Sequence, residues 1–124
     1  MKAIKENNIL LAEFLGWEGR KVYVCDNEGD NARYALSFKT HIGNIIDTTL
    51  KFHLDYSWLM LVVDKIETIE TKDKRTFTID FYRDSVLIFE YGMHTNEIIF
   101  TEGKGRLLNL YNACVQFVKW YNER

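Results

Sequence analysis

Proline is missing altogether from the 124 residues. No helix can therefore be kinked by a pyrrolidine ring, and rigid proline turns are excluded. Cysteine is nearly missing. Cys25 and Cys114 lie far apart, each in an apolar stretch, with no spacing that suits a redox pair or a zinc knuckle. They read as buried free thiols. A surplus of positive charge is missing too: 16 Lys and Arg against 18 Asp and Glu leave a net charge of −2. General binding to a nucleic-acid backbone needs a strong positive field, so that class is excluded, although a local basic patch stays open. No apolar run approaches the roughly 20 residues needed to cross a bilayer. No basic start followed by an apolar run resembles a signal peptide, so no membrane partner is expected and the cytoplasm is the expected compartment.

What is present is apolar and aromatic. Hydrophobic residues make up 47% and aromatic residues 15%, enough for one core to offset conformational entropy without staples. One domain over residues 1–124 is the expectation.

Leu10, Leu11, Phe14 and Leu15 share a helical face, with Asn7 or Asn8 as cap and Gly16 as terminator. Period-two patterning between positions 20 and 38, broken by the turn-forming residues 26–31, predicts a hairpin. Positions 40–53 carry mixed signals: Ile42, Ile45 and Ile46 suit a helical turn, whereas Leu50 and Phe52 alternate as in a strand. Asp55 or Ser57 caps a second helix whose face is Leu59, Val62, Ile66 and Ile69. Phe77, Ile79 and Phe81 then alternate with Thr76, Thr78 and Asp80, and two further runs, 86–91 and 97–101, complete a three-stranded antiparallel meander. After Gly103 and Gly105, the spacing of Leu107, Tyr111, Cys114, Val118 and Tyr121 predicts a last amphipathic helix. The order α-β-β-α-β-β-β-α makes the chain α+β, a layered helix/sheet sandwich with a mostly antiparallel sheet.

Three segments carry a resemblance: NNILLAEFLG at the start, HLDYSWLMLVVDKIE in the middle and LYNACVQFVKWYNER at the end. In this order they resemble the I-A-E-F-M-G, W-L-M-P-V-V-E-K-I and Y-x-A-V-V-x-F-I-K-W-Y-N segments of the phage ABA sandwich domain family, small proteins of phages, prophages and gut bacteria. Leu61 stands where the family often has proline, and residues 40–49 look like added length, ordered or not. The resemblance implies helix-sheet-helix layers and a phage or prophage origin within a host cell, and it implies no enzymatic activity.

Chemistry-bearing groups are sparse. His41, His53 and His94 have no i, i+4 or i, i+2 spacing, so no metal site is expected. Cys25 or Cys114 with a histidine is the only formal nucleophile pair, and Asp80, Asp84 and Glu90 on the central hairpin read as ordinary surface acids. No catalytic residue and no cofactor are expected. Glu102-Gly103-Lys104-Gly105-Arg106 opens a helix and carries two cations, without phosphate-loop spacing; a solvated tight turn is its ordinary reading. Lys104 and Arg106, with Arg83 on the hairpin turn, are nonetheless the candidates for binding a small anion. Tyr56 and Trp58 read as packing anchors. Trp120 falls off the apolar stripe and is the candidate partner contact.

The expected function is a non-enzymatic interaction module that binds a host or phage protein, or itself as an oligomer. The alternative is sequestration of a nucleotide-like anion against host defence, and a hydrolase ranks last.

Overall fold

The computed structural model describes residues 2–24 and 33–124. Its elements are α1 (Lys2–Phe14), β1 (Gly19–Val24), β2 (Arg33–Thr40), β3 (Gly43–Ile46), a 3-10 turn (Asp47–Thr49), α2 (Tyr56–Thr68), β4 (Thr76–Phe81), β5 (Ser85–Tyr91), β6 (Thr95–Glu102) and α3 (Arg106–Asn122). The fold is α+β, with three helices and two three-stranded antiparallel sheets among the described residues. The element order is the one the periodicity predicts, with β3 and the 3-10 turn filling the stretch of mixed signals. Backbone contacts fall into two compact units, Met1–Leu50 and Lys51–Arg124, where the length suggests one domain. No helix among the described residues is long and apolar enough to cross a membrane.

In the first unit, α1 begins at Lys2, well before the face that starts at Leu10, so neither Asn7 nor Asn8 is a cap. Asn8 sits in mid-helix, 2% exposed, and its Nδ2 donates to the Leu50 carbonyl at 3.0 Å. A buried amide with such a partner is tolerated where helix propensity alone disfavours it. Gly16 ends the helix as expected, at φ 84°, with Gly16 N donating to the Glu13 carbonyl at 2.9 Å and Trp17 N to the Ala12 carbonyl at 3.0 Å. β1 and β2 pair from Gly19 opposite Phe38 to Val24 opposite Arg33; the predicted turn at 26–31 lies outside the described residues. Gly19 allows close approach, since a Cβ there would meet the Phe38 ring at 3.0 Å. Buried Asp47 closes the unit: its Oδ2 accepts from Leu36 N at 3.1 Å, and Arg33 Nη1 lies 3.7 Å from Oδ1.

In the second unit, Asp55 is the N-cap of α2, accepting from Ser57 N at 2.8 Å. The bond to Ser57 also holds the Asp55 carboxyl below the usual carboxylate range. α2 packs on β4, α3 packs on β5 and β6, and the two helices touch, so both lie on one face of the meander. Trp58, Leu59, Val62, Val63 and Ile66 of α2 and Leu110, Cys114, Phe117 and Val118 of α3 are buried with Phe77, Ile79, Val86 and Ile88 of the sheet. β4 is an edge strand, and the Glu67 carboxylate accepts from its Ile79 N at 3.3 Å, which blunts the edge against unwanted pairing. A β-bulge between Ile88 and Phe89 shifts the β5–β6 register.

Candidate functional site

The meander dictates which ends meet. β4 and β6 run toward the same end of the sheet, and α2 and α3 both begin there, with Tyr56 and Arg106 as first helical residues. Two turns cross at this end, Tyr82-Arg83-Asp84 between β4 and β5 and Gly103-Lys104-Gly105 between β6 and α3. Buried Asn109 pins them together: its Oδ1 accepts from Lys104 N at 3.1 Å, and its Nδ2 donates to Asp84 Oδ1 at 3.3 Å. Gly103 N donates to the Asp84 carbonyl at 3.2 Å, and Thr101 Oγ1 donates to the Asn109 carbonyl at 2.7 Å.

The result is a groove of about 450 Å³ lined by Tyr56, Phe81, Tyr82, Arg83, Val86 and Arg106, within the range of roughly 300–1,000 Å³ usual for small-molecule sites. Arg83 and Arg106, 23 positions apart, thus face one cavity, and Arg106 Nε donates to the Arg83 carbonyl at 3.4 Å. Neither has a carboxylate partner among the described residues. The contrast is within the chain: Arg33 lies 3.7 Å from Asp47, Arg75 2.8 Å from Asp73, and Arg124 3.1 Å from Glu90. Two guanidinium groups left without anions beside a groove are a ready receptor for one. The positive ends of two helices reinforce the same sign. Lys104, the third cation expected here, is held through its backbone and does not line the groove.

Gly105 precedes α3 at φ 84°, ψ 158°, a region essentially reserved for glycine. Gly105→Ala is expected to destabilise the chain by on the order of 1–3 kcal/mol in chemical denaturation, and a loss below about 0.5 kcal/mol would show that the turn relaxes freely.

The aromatic anchors divide. Trp58 is core, 3% exposed and edge-on to Phe52 at 5.2 Å, but Tyr56 is 47% exposed and belongs to the groove. Helical periodicity explains this, since the first residue of α2 projects beyond the sheet that Trp58 covers. Trp120 is half-buried, packed against Phe77 at 5.8 Å and Phe117 at 5.7 Å, with Arg124 Cζ 4.3 Å above its ring. It is off the stripe yet engaged within its own unit.

The three hairpin acids do not converge. Asp80 pairs opposite Leu87 in mid-strand, Asp84 lies in the turn, and Glu90 is buried near the opposite end, accepting from Arg75 Nη1 at 3.0 Å and Arg124 Nη1 at 3.1 Å. His41 stacks on Trp17 at 5.7 Å, and His53 lies 6.1 Å from Tyr111, its pKa lowered by burial. Among the described residues no three His, Cys, Asp or Glu side chains gather as a metal-binding group.

Cys25 lies outside the described residues. Cys114 is fully buried and its thiol is pushed up to about 12 by desolvation, which leaves almost no thiolate at neutral pH. In a Cys25→Ser background, Cys114 should not react with a disulfide reagent until denaturant is added; prompt native labelling would contradict its burial.

Phe81, Tyr82 and Asn109 are site residues that the sequence reading does not single out. Two consecutive aromatics beside a turn cation were the available signal, because period two can place only one of them on the covered face. Compared with known protein families, curated proteins and solved structures, the chain has no match.

Proposed function

We propose that this chain is a non-enzymatic binding module whose ligand is a small anion held between Arg83 and Arg106. One observation supports this above the others: two cations from separate turns line the same groove without a carboxylate partner among the described residues. A buried general base or nucleophile beside the groove would favour an enzyme, whereas among the described residues its lining holds no carboxylate, histidine or thiol. The resemblance to the phage ABA sandwich family belongs to the same proposal, and with it a phage or prophage protein that sequesters an anionic signal in the host cytoplasm.

The test is calorimetric titration of the full chain with pyrophosphate at low salt. Arg83→Ala and Arg106→Ala should each weaken binding by on the order of tenfold or more, the loss of one charge-assisted hydrogen bond. Unchanged affinity in both variants removes the arginines from any site.

A protein-interaction module is the second reading, favoured by Tyr91, 40% exposed, on the central strand of the second sheet and Phe100, 45% exposed, on its edge strand β6. It predicts that Phe100→Asp dissolves a complex or oligomer and leaves pyrophosphate binding intact.

A further inference from the structure

An anion alone needs only cations, yet three aromatic rings border this groove. Phe81 is 52% exposed, Tyr82 55% and Tyr56 47%, and all three line the cavity with the two arginines. Phe81 is the more telling. Its strand partner Val86 is buried on the helix-covered face, and alternation with Phe77 and Ile79 places Phe81 on that face too, where its exposed ring joins Tyr82 and Tyr56 around one groove; exposed apolar surface gathered in a patch, unlike scattered single residues, marks a binding site. Ring faces beside a guanidinium pair suit a ligand with both a flat ring and a negative group.

We infer that the anion taken by this groove carries an aromatic ring, as in a nucleoside monophosphate, with the ring against Phe81, Tyr82 and Tyr56 and the phosphate on Arg83 and Arg106. This rests on the anion-binding reading proposed above and adds the ligand class. A polynucleotide strand is the poorer occupant: the net charge is −2, and an extended phosphate backbone requires a continuous cationic track. A cavity of about 450 Å³ bounds the ligand to a single small molecule.

The experiment is calorimetric titration of the full chain with the four common nucleoside 5′-monophosphates and with ribose 5-phosphate, at low salt. At least one nucleotide should bind on the order of tenfold tighter than ribose 5-phosphate, a step of about 1.4 kcal/mol. Tyr82→Leu, at an exposed position that leaves folding intact, should erase that difference while ribose 5-phosphate binding stays as it was. Arg106→Ala should weaken both. Equal binding of nucleotides and ribose 5-phosphate, abolished by Arg106→Ala, overturns the aromatic ligand and leaves the anion site standing. Absence of binding by every probe at millimolar concentration overturns both.

Discussion

Phe117→Ala is expected to lower the stability of the chain by about 3–5 kcal/mol, the range for deleting a buried phenyl ring. Phe117 has no exposed surface. Its ring meets Phe77 edge-on at 5.1 Å, stacks on Tyr121 at 5.8 Å and lies 5.7 Å from Trp120, so it is the hub of an aromatic cluster that joins α3 to Phe77 of β4. The aromatic pairs add to simple burial, by roughly 0.5–1.5 kcal/mol each where measured. Small domains have only about 5–15 kcal/mol in total, so this variant loses a large fraction of the total and its unfolding midpoint should fall accordingly. Equilibrium urea unfolding measures the loss directly. Phe117→Leu fills most of the volume and should recover more than half of it. A loss below about 1 kcal/mol for the alanine variant would mean that the neighbouring rings collapse into the space and that the hub is not one.

The same hub shows how much was legible beforehand. Phe117 is one residue from Val118 of the predicted stripe, and the last helix, the meander and α2 were all readable because each buries one face and so imprints its period on the sequence. Propensity puts asparagine at helix ends, so Asn7 or Asn8 reads as a cap, whereas both lie within α1 and Asn8 is held in mid-helix by a bond to the distant Leu50 carbonyl. β3 has four residues, too few to show a period. The groove was half legible. Arg83, Lys104 and Arg106 stood out as cations in turns, but nothing local says that two turns 20 residues apart are pinned to each other, or that Lys104 points its backbone rather than its charge at the pin. Trp120 is conspicuous for being off the stripe, and the neighbours that account for it, Phe77 and Arg124, come from β4 and from the residues just past the end of α3.

The pin itself gives the second large effect. Asn109→Leu keeps the branched shape but, being bulkier and apolar, removes an acceptor from Lys104 N and a donor from Asp84, and is expected to cost about 2–4 kcal/mol, at roughly 1–3 kcal/mol for each polar group deprived of its partner. Water reaches both partners in part, since each bond is only half-buried, which keeps the estimate from the upper end of the sum. Asn109→Asp separates the two bonds. It retains an acceptor for Lys104 N but sets a second carboxylate at hydrogen-bond distance from Asp84, and like charges in that position repel. Adding Asp84→Asn to Asn109→Asp restores the donor–acceptor pair with its polarity reversed, so the double variant should regain most of the stability that Asn109→Asp loses. The coupling energy from the full cycle, read by urea unfolding, should exceed about 1 kcal/mol. Additive losses would show that Asn109 and Asp84 act separately, and that the two turns carrying Arg83 and Arg106 are held by Gly103 and the backbone alone.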